Sequence, residues 1–163
     1  MFPPIFALFV EEIGGNVFSA GSLWAVFSVV TGILTLIITR YGDKMKETEY
    51  LIMAGYLFRA VAWMGYFFSH SLWQLYILQL LLAMGESLGA PAFNAIYSQH
   101  LDKGRYVREW GISNSFNSII IGVAALLGGI IVFQFGFRTL FIIMSSLSII
   151  SLIFLLTRPR KLL

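Results

Sequence analysis

Cysteine is absent from this chain of 163 residues. Without thiols it can build no disulfide framework, no Cys-ligated zinc site and no thiol catalysis. Charge is scarce as well: Asp, Glu, Lys and Arg make up 12% of the residues, against about 25% in an ordinary soluble domain. A chain so poor in charge and so rich in apolar residues is not a disordered one. No Gly-rich phosphate loop with a following Lys-Ser/Thr is present, so no bound nucleotide is encoded as an energy source. The two histidines, His70 and His100, have no partners at metal-ligand spacing, and no hydrolytic constellation of side chains appears. The expectation is a protein that is not an enzyme and needs neither cofactor nor metal.

Apolar side chains fill the space left by these absences. Hydrophobic residues reach 58%, with 15 Phe and 4 Trp, and mean hydropathy is +0.83. A soluble domain of this size could not hide that much apolar surface, because a large share of its residues must face water. The solvent is therefore partly lipid. Residues 17–39 contain no charge, 50–69 only Arg59, 71–99 only Glu86, and 110–137 and 139–157 none. A helix needs about 20 mainly apolar residues to cross a hydrocarbon core of roughly 30 Å, so these are five full spans. Residues 1–10 are apolar and uncharged but reach only about half-way across at about 1.5 Å per residue. They read as a truncated first span rather than a signal peptide, because Glu11 and Glu12 stand where a small-residue cleavage site belongs. The expected domain is thus one transmembrane bundle over 1–163.

The few basic residues carry a topology. Arg40, Lys44 and Lys46 fall in one short loop, Lys103, Arg105 and Arg108 in a second, and Arg158, Arg160 and Lys161 in the tail. The alternating connections hold Arg138 alone. Cytoplasmic loops carry the excess of Lys and Arg, so these three regions, the C-terminus included, are expected in the cytoplasm. The net charge of +3 is then a topology signal, and no nucleic acid partner is implied. Tyr50, Trp73, Tyr106 and Trp110 sit near span ends, where amphipathic rings favour the interface.

Inside the spans the polar residues are few enough to name. A lone charge at mid-bilayer costs about 2.5–3.5 kcal/mol on insertion scales, and Arg59 and Glu86 stand near the middle of neighbouring spans. They are expected to answer each other, either as a structural pair or as a substrate or coupling-ion site centred on Glu86. Gln79 shares the helical stripe of Glu86, Phe93 and Tyr97, with Asn94 on the adjoining face, while Asn114 and Asn117 form a second polar stripe in the next span. Polar stripes in membrane helices face protein or water-filled cavities rather than lipid. Gly85 and Gly89 form a GxxxG pair, and Gly111/Ser115, Ser118/Gly122 and Ala125/Gly129 give small-residue pairs at the same spacing in the next span, with Gly128 beside Gly129, which lets backbones approach. Pro91 and the Pro3–Pro4 pair interrupt spans at corresponding places of a three-plus-three arrangement, a pointer to a binding site in transporters.

These features together resemble one six-helix half of a Major Facilitator Superfamily transporter. The Pro-containing first span ends before "EEIGG", a basic loop joins the second and third spans, and the fourth and fifth spans are Gly-rich. The family's G-x-L-x-D-R-x-G-R-K loop is matched in "TRYGDKMKET" by the acid–base core Asp43 and Lys44, while Thr39 and Lys46 stand at its two glycines. The resemblance implies that Asp43 and Lys44 help to close a cytoplasmic gate. In the fourth span Gly85 matches, with Leu81 at the family's Arg. In the fifth, "AALLGG" keeps Gly128 and Gly129 of the G-P-x-x-G-G pattern, with Ala124 and Ala125 in place of Gly and Pro.

The expected fold is therefore an all-α polytopic membrane bundle of five full spans and a partial first. The expected function is secondary active transport of a small solute across the cytoplasmic membrane by alternating access. One bundle cannot form both walls of such a path, so a homodimer or a second transporter half is expected, beside the lipid bilayer and a small-molecule substrate. The alternative is a non-transporting membrane subunit or transporter remnant that binds a partner membrane protein.

Overall fold

The computed structural model describes residues 3–42 and 48–157, in which five helices and no strand occur. They are α1 (Pro3–Glu12), α2 (Val17–Gly42), α3 (Glu49–Phe68), α4 (Leu72–Gln99) and α5 (Tyr106–Thr157). The turns between them are built from residues suited to them. Gly14 takes a positive φ of 86° after α1, a region open to glycine at no steric cost. Asn16 then accepts the Ser19 backbone N–H at 2.9 Å to start α2. At the start of α4 the Gln74 side-chain carbonyl accepts the backbone N–H groups of His70 at 2.8 Å and Ser71 at 3.2 Å. Pro91 lies inside α4 without ending it.

The 52 residues of α5 would make a straight helix about 78 Å long, more than twice a hydrocarbon core. Gly136, at φ 79° and ψ 171°, breaks it into arms 106–135 and 137–157. The arms fold back on each other: Leu140 Cδ1 lies 3.9 Å from where a Cβ on Gly128 would stand. In an unbroken helix these positions, twelve residues apart, would be about 18 Å apart. One glycine thus makes the connection for which the sequence suggested the stretch 136–138.

The packed core is aromatic and joins α1, α3 and the second arm of α5. Phe9 meets Phe141 edge-on at 4.7 Å between ring centroids, and Tyr66 lies 5.3 Å from Phe141 and 5.4 Å from Trp63. Leu75, Leu78 and Leu82 of α4 and Leu23 of α2 complete it. Ser145 of the second arm donates a buried hydrogen bond to the Ala60 carbonyl of α3 at 3.0 Å. By contrast α2 is 6% buried over its most apolar window, and residues 114–123 of the first α5 arm are all exposed. Apolar faces left open in this way are compatible with lipid or with a further bundle, and the length and hydropathy of the helices make this a multi-pass membrane protein.

Candidate functional site

The site begins with a close helix crossing. A Cβ on Gly55 of α3 would fall 2.8 Å from the Gly85 carbonyl oxygen of α4, and one on Gly85 would fall 2.9 Å from the Gly55 carbonyl. Nothing larger than hydrogen fits between these two backbones. Gly89 continues the contact one turn along α4, with the Gly55 Cα 3.8 Å from its Cβ position. Arg59 follows Gly55 by one helical turn, so its stem passes over Gly85, with Cγ 3.0 Å from the Cβ position there. The guanidinium then reaches Glu86, donating from Nη2 to Oε2 at 2.5 Å. The ring of Tyr56 lies under the same guanidinium, 5.7 Å from Cζ to its centroid, within the range of cation–π attraction.

On the other side of this pair α4 and the first arm of α5 stand apart. Between them and α3 is a cavity of about 550 Å³, lined by Arg59, Glu86, Asn94, Asn114 and Asn117, with Ser113 and Tyr56. Five of the six site residues expected from sequence therefore meet around one space. Gln79 does not join them. It is 3% exposed and lies outside the lining. Its stripe on α4 is that of Glu86, but seven residues put it about 10.5 Å away along the axis, beyond the end of the cavity.

Aromatic side chains gather at one end of the cavity. Phe93 and Trp110 line it. Tyr97 stacks on Phe93 at 6.3 Å and meets Trp110 edge-on at 5.0 Å. The Tyr97 hydroxyl donates to the Glu109 carbonyl at 3.1 Å, fixing α4 to the first turn of α5. At the other end of the bundle, Arg138 donates to His70 Nε2 at 3.2 Å, beside a smaller cavity of about 270 Å³ that also contains Glu12.

The glycines divide into two groups. Gly55, Gly85 and Gly89 make the crossing just described, and Gly128 packs under Ile5, whose Cδ1 is 3.3 Å from its Cβ position. A Cβ on Gly122 or Gly129 would meet nothing within 4 Å among the described residues. Asp43 and Lys44, the two gate-loop residues implied by resemblance, lie outside the described residues.

Sequence reasoning missed Gly55, Tyr56 and Ser113. The signal for the first two was their spacing: Tyr56 precedes Arg59 by three residues and Gly55 by four, which places both on the arginine's own face. Ser113 adjoins Asn114, at the edge of the polar stripe already recognised.

Chemically, the arrangement is a paired, electrically neutral site within apolar helices, surrounded by amides that can both donate and accept. It holds no nucleophile next to a base. Its capacity is for binding a polar group and for exchanging the partner of Glu86.

Comparison with known proteins gives the family. The profile of the Major Facilitator Superfamily matches residues 1–162. The chain is 25% identical over 155 residues to "Multidrug resistance protein MdtG" of Escherichia fergusonii, covering 93% of this chain and 38% of that protein. It is 24% identical over 152 residues to the protein of the same name from Dickeya zeae, covering 91% and 37%. The Salmonella schwarzengrund protein is 24% identical over 155 residues, with coverages of 93% and 38%. The chain thus spans less than two fifths of the length of these curated relatives.

Proposed function

This chain belongs to the Major Facilitator Superfamily, and on that premise we propose that it forms one wall of a secondary transporter for a small, drug-like solute. The observation that carries the reading is the convergence of Arg59, Glu86, Asn94, Asn114 and Asn117 on one cavity from three helices. Polar side chains placed in apolar spans are costly unless they serve one another or a guest; Arg59 and Glu86 serve one another, and the three asparagine amides beside them are suited to a guest. Glu86 is the group on which transport turns, and Arg59 holds it when no solute or proton does. The "multidrug" in the relatives' names supports a drug-like substrate.

Alternating access requires a second bundle facing the cavity. The exposed faces of α2 and of the first α5 arm are suited to receive it, either from a second copy or from another transporter half. The protein resides in the cytoplasmic membrane, with the stretch 100–109 and the C-terminus on the cytoplasmic side, as the distribution of basic residues supports.

The test is efflux from a drug-sensitive bacterial strain that expresses this chain, alone and together with a separately encoded six-span half. The expected result is lowered accumulation of at least one of a panel of fluorescent drugs, in whichever arm yields a two-bundle assembly in mild detergent. Glu86→Gln, inserted at the normal level, is expected to lose that efflux. Full efflux in Glu86→Gln would remove the carboxylate from the mechanism. Efflux by a strictly monomeric chain would remove the two-bundle requirement.

A further inference from the structure

A second chamber lies behind one wall of the polar cavity. It has a volume of about 370 Å³ and lies between α3, α4 and the second arm of α5 as a groove open on its outer side, where Phe93, Ile150 and Phe154 are each more than half exposed. Ile52, Tyr56 and Phe93 line both spaces. Beyond that wall the new chamber is apolar: Ile96, Ile150, Phe154 and Leu155 form most of its surface. Its Ser151 hydroxyl donates back to the Leu147 carbonyl at 2.9 Å, so it has no proton left for a guest. Each space falls in the range of roughly 300–1,000 Å³ common to small-molecule sites. A polar compartment and an apolar one, separated by two aromatic rings and an isoleucine, fit the two ends of an amphiphile.

Charge narrows the polar end. Arg59 and Glu86 cancel, and the lining holds no other formally charged side chain. A guest with a single net charge that took one member of the pair would leave the other without its partner, a cost moderated but not removed by the partial opening of both side chains to the cavity (27% and 41% exposed). A head that carries both signs replaces one ion pair by two. Its cation takes Glu86 and its anion takes Arg59, while the amides of Asn94, Asn114 and Asn117 remain for its neutral oxygens. Tyr56 sits where the two ends of such a molecule join. Its ring covers the guanidinium on one side and lines the apolar chamber on the other.

We propose that the two chambers together bind a single-chain amphiphile with a zwitterionic head, the head between Arg59 and Glu86 and the chain past Tyr56 and Phe93. The proposal rests on the reading of the polar cavity as a solute site and names the substrate class of that site. Such a guest could come from the water, as a soluble zwitterionic amphiphile, or from the bilayer, as a single-chain lipid.

The experiment uses the full chain in nanodiscs of phosphatidylglycerol, so that the bilayer itself supplies no zwitterion. The probe is an alkylphosphocholine with a photoactivatable diazirine at the chain end, and labelled peptides are mapped by mass spectrometry. Labelling is expected to concentrate on residues 150–155 and Ile96. The doubly neutral Arg59→Leu/Glu86→Leu variant should lower it about ten-fold, as loss of charge-assisted bonds to the head predicts. Asn114→Leu, a change confined to the polar cavity, is the milder second variant and should lower it in the same direction. Ile150→Trp, which fills the apolar chamber alone, should abolish it. Labelling of the lipid-exposed face of α2 should stay the same throughout, and an alkyltrimethylammonium probe of equal length should not concentrate at 150–155. Equal chamber labelling in the wild type and the doubly neutral variant would overturn the proposal, leaving a groove that any acyl chain enters. Equal labelling by the two probes would overturn it too. None of these readouts requires transport, so their failure is distinct from a failure to export drugs. Probe added from water and probe mixed into the bilayer beforehand distinguish the two sources of the guest.

Discussion

Helix α4 meets its two polar neighbours in opposite ways. Against α3 it touches backbone to backbone at Gly55 and Gly85. Against the first arm of α5 it leaves an open cavity, bridged at one end by Tyr97, Glu109 and Trp110. Both contacts involve helices with small residues at four-residue spacing. On α4 the Gly85–Gly89 pair is used, because α3 offers a third glycine at the same depth. On the first arm of α5, Gly111, Gly122 and Gly129 meet nothing within 4 Å. Small-residue spacing therefore permits an approach without causing one. What causes it is a complementary surface and a gain in packing, since lipid tails are as apolar as Leu and supply no hydrophobic drive.

The comparison is broken most severely by filling the crossing. Gly85→Leu places a side chain against the Gly55 carbonyl and the Arg59 stem, and the Gly55 backbone has no alternative position. The cost is expected to exceed the roughly 1–3 kcal/mol of ordinary overpacking, read as loss of protein level in a fluorescent-fusion assay. Normal accumulation of Gly85→Leu would mean that the crossing is not tight.

Next in size is the charge pair that the crossing delivers. Side-chain exposures of 27% for Arg59 and 41% for Glu86 leave the pair partly open to the cavity. Removing one partner is expected to cost at most about 3 kcal/mol, the low end for a buried pair. Arg59→Leu and Glu86→Leu should each lower thermal stability in detergent, and the double change should recover most of it. Additive losses would show that the two charges act independently.

A smaller effect tests the tight side away from the charges. Ser145→Ala removes the buried bond to the Ala60 carbonyl, an expected loss of about 1 kcal/mol in the same melting assay. No change would show that aromatic packing alone holds the second arm of α5 to α3.

The smallest effect, and one of opposite sign, belongs to the open side. The methyl groups of Gly122→Ala and Gly129→Ala would meet no neighbour within 4 Å among the described residues and remove the conformational freedom of a mid-helix glycine. They should be neutral or stabilising by up to about 1 kcal/mol. Destabilisation by either would show a partner surface already packed against the first arm when the chain is purified alone.

Several of these features were legible in the residues and others were not. The long apolar helices were, because a charge in hydrocarbon is costly enough to be rare, and its absence over 20 residues is a strong signal. The Arg59–Glu86 contact was anticipated for the same reason: two opposite charges at similar depth have few other ways to be satisfied. Gln79 shows where helical periodicity stops. A stripe gives the face a residue occupies but not the depth at which a neighbouring helix closes over it. Tyr56 and Gly55 were overlooked because their meaning depends on which residues of α4 arrive opposite them, and a single helix does not carry that information.

By itself, the sequence determined the membrane as solvent, the number and order of the apolar stretches, and the polar residues that had to find partners. Each follows from free energies of transfer, which depend on composition and period-3.6 spacing alone. The tertiary structure alone decided that Gly136 by itself turns α5 back on itself and that Gly55 rather than Gly122 meets the α4 glycines. It also decided that the amides of two helices share one cavity with the ion pair while Gln79 stays outside. Those outcomes depend on the relative depth and rotation of whole helices, which are fixed jointly by every contact in the bundle and are written in no single stretch of it.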